Sequence, residues 1–228
     1  MIEADAYFFD IDGTLMTCPD RVHWDGMYKA IREVYKLDAN LESIPYHGKT
    51  DVAILRIALN GEGLSDAAFY EALPRALAVV RGHVSANCGR ITPKVCPGIP
   101  EILAEIHDTR RMLGVASGNL EEVGWHKIRA AGLRQLFQFG SFGDSHELRA
   151  GIFEAAAARA KEILGSDANV CFVGDTPEDI AAARAVNAKI IAVGTGKFSC
   201  DALAPHAPDL CCTSCAELVG KLKRAQTA

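Results

Sequence analysis

Short hydrophobic runs alternate with longer stretches of helical periodicity along most of the chain. The first run, Ala6-Tyr7-Phe8-Phe9, stops abruptly at a polar loop that contains Gly13. Uninterrupted runs of this length, ended by glycine, are typical of strands buried on both faces of a parallel sheet. Similar runs predict strands at 112–116, 138–142, 170–173 and 189–193, and a weaker one near Leu210.

Between these strands the periodicity predicts helices. They are expected at 99–106, 120–131, 150–164 and 177–186, and a closing helix is expected from Cys215 to Arg224. Strands that alternate with helices in this way predict an α/β fold with a doubly wound, mostly parallel, Rossmann-like sheet.

Residues 17–93 break this alternation. Helices are predicted there at 24–35, 51–59 and 65–87, with little strand character between them. Ser65 is a suitable N-cap for the last of them, and Asp66 follows it in the first turn. We therefore expect an all-helical cap domain, residues 17–93, inserted into a core domain formed by residues 1–16 and 94–228.

Charge and composition exclude several classes of protein. The net charge is −5 and there is no basic run, so a nucleic-acid-binding protein is not expected. No apolar stretch reaches the roughly 18 residues needed to span a membrane, so no membrane association is expected. The first residues do not have the layout of a secretory signal, which favours a cytoplasmic protein whose eight cysteines are reduced. Cys211, Cys212 and Cys215 have metal-like spacing but lack a second pair, so incidental thiols are the favoured interpretation.

The segment Asp10-Ile11-Asp12-Gly13-Thr14 directly follows the first predicted strand. Ligands of open α/β sheets bind outside the carboxyl ends of the strands, which is where these two aspartates lie. Two neighbouring carboxylates repel each other, so a cation must neutralise them or one must keep its proton. A hard cation with oxygen ligands meets this need. A capped loop with solvated carboxylates is the alternative, and we favour the functional interpretation.

A second acidic segment, residues 174–179, also lies between a predicted strand and a helix. Gly174 permits the turn and Pro177 suits a first helical turn, so that Asp175 and Asp179 can face the same crevice. Acidic residues at a helix start also stabilise the helix itself, and this motif alone is therefore ambiguous. Together with Asp10 and Asp12 it predicts a metal site.

Ser117-Gly118-Asn119 follows the predicted strand at 112–116. A hydroxyl and backbone N–H groups at a helix start can bind phosphate, although Ser117 alone could simply cap the helix. A cation is also needed to balance phosphate charge. The candidates are Arg149, which begins the helix before the Asp175 strand, and Lys127, which lies in the helix after Ser117.

These four motifs resemble those of the haloacid dehalogenase superfamily. The family order is Asp-x-Asp-x-Thr, Ser or Thr, Lys or Arg, then Gly-Asp-x-x-x-Asp, and the resemblance covers residues 6 to about 195. The phosphoglycolate-phosphatase-like branch, which carries a helical cap between the first two motifs, is the most similar. Many relatives have Lys-Pro before an Ile-Phe pair, whereas this chain has Arg149-Ala150-Gly151 before Ile152-Phe153. The family's motif order therefore favours Arg149 for the third motif by its position alone, and Lys127 is a competitor.

The resemblance implies an Mg²⁺-dependent phosphatase acting on a small phosphate monoester. Asp10 would be the nucleophile that forms an aspartyl-phosphate, and Asp12 the general acid and base. Mg²⁺ would be bound by Asp10, Asp175, Asp179 and the backbone carbonyl of Asp12. Dehalogenating and phosphonate-cleaving relatives lack an acid at the position of Asp12, so phosphoryl transfer is expected. A sugar phosphomutase and, less favoured, a non-catalytic binding module are the alternatives.

Two further residues of the predicted cap are candidates for substrate binding. His47 and Lys49 belong to a segment, 47–51, that resembles a Gly-Lys-Thr-Asp segment of the same branch. Lys49 could reach the cleft, whereas Thr50 could equally serve only as a helix cap. We therefore expect the cap to select a small phosphate ester and the core to carry out the reaction, in a monomer or homodimer.

Overall fold

The computed structural model describes residues 1–221. A six-stranded parallel sheet has the order β5-β4-β1-β6-β7-β8, with β1 at its centre. Its strands are β1 (Ala6–Phe9), β4 (Met112–Ser117), β5 (Phe139–Phe142), β6 (Val170–Gly174), β7 (Lys189–Val193) and β8 (Leu210–Cys212). The helices of this core are α4 (Ile99–Asp108), α5 (Glu121–Ala130), α6 (Arg149–Leu164), α7 (Pro177–Ala185) and α8 (Cys200–Leu203). The predicted fold class is confirmed.

Side chains of β1 alternate between the two faces of the sheet. Tyr7 and Phe9 belong to a buried cluster that includes residues of α4 and α5. Ala6 and Phe8 belong to a second cluster, together with residues of α6 and α7. Because both faces are covered by helices, the strand is apolar throughout, which is the pattern that its sequence shows.

The strand order reverses beside β1, and this positions the site. The chain passes outward from β1 to β4 and β5, and then returns to β6 on the other side of β1. Loops at such a reversal diverge to opposite faces and leave a crevice at the carboxyl ends of the strands. Asp10, Ser117 and Asp175 lie at the ends of β1, β4 and β6 around this crevice.

A two-stranded antiparallel ribbon, β2 (Met16–Thr17) with β3 (Lys94–Val95), joins the sheet to the inserted helices. Strands of two residues carry no periodicity, so the sequence did not predict them. Between them lie α1 (Val22–Ala30), α2 (Asp51–Gly61) and α3 (Asp66–Asn87), which we call the cap. The cap helices bury an apolar cluster of their own, to which the core adds Val123 of α5 and Leu120 just before that helix. The boundaries at residues 17 and 93 stay a prediction.

Two predicted helices differ in the structure. The helix predicted at 24–35 is α1 followed by a π-helical turn, Ile31–Tyr35, and Lys36 ends it with a left-handed φ of 57°. The predicted closing helix is wrong in its first part, where only a short 3₁₀ turn forms at Cys215–Glu217. Its end at Arg224 lies outside the described residues. Within residues 1–221, no helix has the length and apolarity needed to cross a bilayer.

Candidate active site

The loop after β1 folds back tightly on itself. The amide of Asp10 still donates to Val173 in the sheet (2.9 Å), while Gly13 donates to Met16 (2.8 Å). Gly13 has a φ of 85°, and a Cβ there would lie 2.4 Å from Oδ2 of Asp175. Only glycine therefore lets the first acidic loop approach the second so closely.

Three buried carboxylates converge at the crevice. Oxygen atoms of Asp10, Asp175 and Asp179 lie within 4.8 Å of one another. Thr14 donates a hydrogen bond to Oδ1 of Asp175 (3.1 Å), which holds one member of the group. Burial raises the pKa of Asp10 to about 6, and burial together with the neighbouring carboxylates raises the pKa of Asp175 to about 8. In water both acids would be fully ionised at neutral pH. Their raised pKa values therefore mean that the cluster lacks enough positive charge to stabilise the ionised carboxylates.

Arg149 at the start of α6 meets part of this need. Its guanidinium lies 2.7 Å from Oδ2 of Asp10 and 2.6 Å from Oδ1 of Asp179, and it is buried. One guanidinium facing three carboxylates leaves an excess of negative charge. Carboxylate oxygens grouped in this way are the ligands that hard divalent cations prefer, so the residues fit a divalent metal ion.

Asp12 lies in the same crevice but points to a different partner. Nζ of Lys127 is 2.9 Å and 2.7 Å from its two oxygens, and Asn119 donates to Oδ2 at 2.8 Å. Burial alone would raise the pKa of Asp12, but Lys127 and Asn119 outweigh it and hold the pKa below its ordinary value. About 45% of the Asp12 side chain stays open to the cavity. Arg149 therefore forms ion pairs with the carboxylate cluster, while Lys127 forms an ion pair with Asp12.

The loop after β4 contributes the predicted phosphate-binding residues. Ser117 is buried, and its hydroxyl accepts a hydrogen bond from Nδ2 of Asn119 at 2.8 Å. Gly118 faces the cap, because its carbonyl accepts from the amide of Asp51 (2.9 Å) and a Cβ would lie 2.5 Å from the carbonyl of Lys49. Ser117 and Asn119 thus turn toward Asp12, while Gly118 provides the surface on which the cap rests.

The loop after β6 is fixed by a capping box at the start of α7. The Thr176 hydroxyl accepts from the amide of Asp179 (3.3 Å), and Oδ2 of Asp179 accepts from the amide of Thr176 (3.0 Å). A Cβ at Gly174 would lie 2.3 Å from the Asp179 carboxyl carbon. This interlock leaves Oδ1 of Asp179 free to face Arg149 and the metal-ligating group.

A cavity of about 360 Å³ opens from these carboxylates and continues between the core and the cap. The predicted residues Asp10, Asp12, Ser117, Gly118, Asn119, Lys127, Arg149, Asp175, His47 and Lys49 all line it. Asp179 is fully buried behind Asp175 and Arg149 and does not line it. The tertiary structure therefore brings nearly every predicted site residue to one cavity.

The family model for haloacid dehalogenase-like hydrolases matches residues 4–187, which is most of the chain. The chain belongs to this family. No curated protein sequence matches it.

Several solved structures share the fold with the haloacid dehalogenase-like chain at low sequence identity. A predicted phosphoglycolate phosphatase from Haemophilus somnus is 18% identical, with 99% of this chain and 100% of that chain covered and a TM-score of 0.66. A β-phosphoglucomutase from Clostridium difficile is 17% identical over 98% and 97% of the two chains, with a TM-score of 0.72. CbbY from Rhodobacter sphaeroides, in complex with phosphate, is 17% identical over 95% and 96%, with a TM-score of 0.68.

The cap segment with the predicted substrate-binding residues rests on the core of the hydrolase. Nζ of Lys49 lies 3.6 Å from Glu178, and the carbonyl of Gly48 accepts from Arg149 at 3.2 Å. Thr50 caps α2 through the amide of Ala53 and also donates to the carbonyl of Glu147 (2.8 Å). Burial and nearby Lys197 lower the pKa of His47 below its ordinary value.

Sequence reasoning missed a pair of cap residues in the same cavity. Nε2 of His23 lies 3.0 Å from Oδ2 of Asp51, and that oxygen also accepts from the amide of Leu120 at 2.9 Å. Thr195 was missed as well, although its hydroxyl donates to the carbonyl of Gly13 (2.6 Å) and so fixes the first acidic loop. No spacing in the sequence relates these partners, which lie 28 and 182 residues apart.

The cysteines form no metal site in the part of the chain that the structure describes. All eight are free thiols, and Cys212 and Cys215 are buried. Sγ of Cys211 lies 2.9 Å from Sγ of Cys200 rather than beside its neighbours in sequence. The only cluster of three or more metal-ligating groups among residues 1–221 is the carboxylate cluster described above.

Proposed function

We propose that the chain is an Mg²⁺-dependent phosphatase that hydrolyses a small phosphate monoester through an aspartyl-phosphate on Asp10. The observation that carries this proposal is the convergence of Asp10, Asp175 and Asp179 at the core end of the cavity that Asp12 also lines. The structures named for phosphoglycolate phosphatase and for a phosphate complex support the same reaction class by similarity of fold.

The metal would be held by Asp10, Asp175, Asp179 and the backbone carbonyl of Asp12. When bound, it would neutralise the carboxylates and part of the phosphate charge, which lets an anionic nucleophile approach an anionic ester. Arg149 supports the same charge balance through its contacts with Asp10 and Asp179.

In the first step, the Asp10 carboxylate attacks phosphorus and the bond between phosphorus and the alcohol oxygen breaks. Asp12 gives its proton to that oxygen, and the free alcohol leaves. In the second step, Asp12 takes a proton from water while the water oxygen attacks phosphorus, which releases inorganic phosphate and restores Asp10. The hydroxyl of Ser117 and the cationic side chains hold the non-bridging oxygens in both steps.

Lys127 links substrate binding to the protonation of Asp12. Without substrate, its ammonium lies on both oxygens of Asp12 and favours the ionised acid. A phosphate group competes for that ammonium, so its arrival weakens the ion pair and allows Asp12 to take up the proton that the first step requires. Asn119, which contacts Asp12, Lys127 and Ser117, keeps these groups together during the exchange.

The test is release of inorganic phosphate from a panel of phosphate monoesters by the metal-free protein, with and without added Mg²⁺. We expect turnover that depends on Mg²⁺ and is abolished in Asp10→Asn, while Asp167→Asn, a matched change at an exposed acid, behaves as wild type. Full activity in excess chelator, or in a folded Asp10→Asn variant, would contradict the proposal. Transfer of phosphate to an added sugar at the expense of release to water would instead favour a phosphomutase.

A further inference from the structure

Much of the cap side of the cavity is lined by apolar side chains. Beyond the carboxylates, apolar side chains come from the cap helices, from the segment between α3 and β3, and from α5. They are Trp24, Met27, Ile54, Val84, Ile91 and Val123. Five of these are buried, and Trp24 is packed edge to face against Tyr46 with ring centroids 4.9 Å apart. Such a wall stabilises apolar groups and offers few partners for hydroxyl groups.

Cations that line the cavity are mostly occupied by acids of the chain itself. Arg149 is paired with Asp10 and Asp179, Lys127 with Asp12, and Lys49 with Glu178. Among residues 1–221, Lys197 is the one lysine or arginine of the lining without an ion pair. It is exposed on the core loop after β7, next to Gly196, where a Cβ would meet the Asp175 carboxylate. Lys197 thus belongs to the core side of the cavity, on a loop that approaches Asp175, and it lies close enough to His47 of the cap to lower the pKa of that imidazole.

Apart from the paired Lys49, the cap adds two carboxylates and two imidazoles to this cavity, together with the Tyr46 phenol and the Cys18 thiol. Asp51 is buried and held by His23 and by the amide of Leu120. Asp20 accepts hydrogen bonds from the amides of Val22 and Thr92. An anionic group carried on the far side of a substrate would therefore meet carboxylates, which makes its desolvation unfavourable.

We infer that the substrate is a monophosphate ester of an uncharged, largely apolar alcohol, and that esters carrying a second phosphate or a carboxylate are poor substrates. This inference rests on the proposed function and adds the chemical class of the leaving group. The reaction takes one ester and one water and gives the alcohol and inorganic phosphate. A cavity of about 360 Å³ is near the small end of ligand sites, which suits an alcohol of a few carbon atoms or a single ring.

Matched substrates test the inference directly. Ethyl phosphate and phosphoglycolate both have two carbons and differ in a methyl against a carboxylate, and propyl phosphate and glycerol phosphate differ in two hydroxyl groups. We expect kcat/KM to be at least about tenfold higher for the apolar member of each pair. Along a series of n-alkyl phosphates, kcat/KM should rise about fourfold for each added methylene until the cavity is filled.

Variants at two positions, Trp24 and Lys197, test which residues cause the preference. Trp24→Ala should reduce the gain per methylene, and Trp24→Phe should restore most of it, with thermal melting to verify that both are folded. Lys197→Ala should leave the preference for the apolar member of each pair unchanged. The inference would be overturned if kcat/KM stayed constant along the alkyl series, or if phosphoglycolate were preferred and Lys197→Ala removed that preference. Either result would leave the phosphatase reaction intact. If methyl phosphate and para-nitrophenyl phosphate are also not hydrolysed, the proposed function itself is wrong.

Discussion

The two ends of the cavity are lined by side chains of different character, charged at the core end and largely apolar at the cap end. At the core end, Asp10, Asp175 and Asp179 face Arg149, and Asp12 faces Lys127, so charges are crowded and buried. At the cap end, the walls are apolar side chains such as Met27 and Val84. The core end is suited to transfer of a charged group in an environment with little water, and the cap end to selection of what that group is attached to.

The contacts that hold the cap against the core involve neither the carboxylate cluster nor the apolar walls. Arg56 and Tyr70 of the cap contact Glu147 of the core at 2.5 Å, and Arg81 contacts Asp144 at 2.5 Å. Glu147 lies two residues before Arg149, so closure of the cap and the position of the cationic side chain share one short segment. The comparison therefore predicts large effects for core variants and small or substrate-dependent effects for cap variants.

Among the cationic side chains of the site, the largest effect is expected for Arg149→Ala. Loss of a charge-assisted contact of about 1.5–3 kcal/mol lowers kcat/KM ten- to more than a hundredfold, and here two buried carboxylates also lose their partner. Lys127→Ala should lose less, because its ammonium contacts Asp12 and not the nucleophile. Steady-state kinetics with methyl phosphate and para-nitrophenyl phosphate measure both. If Lys127→Ala lost most of its kcat/KM while Arg149→Ala stayed nearly normal, the assignment of the third motif would be reversed.

Metal binding should strengthen as the pH rises. Because burial raises the pKa of Asp10 to about 6 and that of Asp175 to about 8, Mg²⁺ has to displace protons at pH 6 and fewer at pH 8. We expect its affinity to increase by about tenfold or more between these values, measured by the Mg²⁺-induced rise in Tm.

The stability of the metal-free protein should change in the opposite direction. The folded state binds more protons than the unfolded state between a pKa of about 4 and the raised values, so its Tm falls as the pH rises through that window. Asp175→Asn should weaken both trends. An Mg²⁺ affinity that does not change from pH 6 to pH 8 would contradict the charge excess inferred for the core end.

A smaller effect is expected for Lys49→Ala, and its pattern is informative. As a partly exposed ion pair with Glu178, Lys49 is expected to change kcat/KM by no more than about fivefold, equally for apolar and anionic esters. Glu178→Gln is the matched variant and should behave in the same way. A loss restricted to esters that carry a second phosphate or a carboxylate would show that Lys49 contacts the substrate, as the sequence motif predicts.

The smallest effect is expected for Arg81→Gln, which removes an ion pair between the cap and the core at two residues that do not line the cavity. An ion pair at this degree of exposure contributes about 0–1 kcal/mol, so a change in kcat/KM below about threefold is expected, and less at high salt. Kinetics at two ionic strengths measure it. A loss as large as that of Arg149→Ala would mean that cap closure limits the reaction.

The sequence alone determined the fold class and most of the core end of the site. Runs such as Ala6–Phe9 predict buried parallel strands because covering both faces demands apolar residues at every position. Asp10 and Asp175 could be predicted because they directly follow such strands, and the carboxyl ends of parallel strands share one edge of the sheet. These are local signals. The family match confirms the hydrolase that the resemblance of the four motifs implied.

Only the tertiary structure decided which charges meet. Arg149 and Lys127 were both candidates, and their division between Asp10 and Asp12 depends on how α6 and α5 pack against the sheet. The pairing of His23 with Asp51 and the apolar walls of the cavity arise from contacts between helices that are distant in sequence. Periodicity reports which face of a helix is buried, but not what covers it, because that depends on the packing of the whole chain.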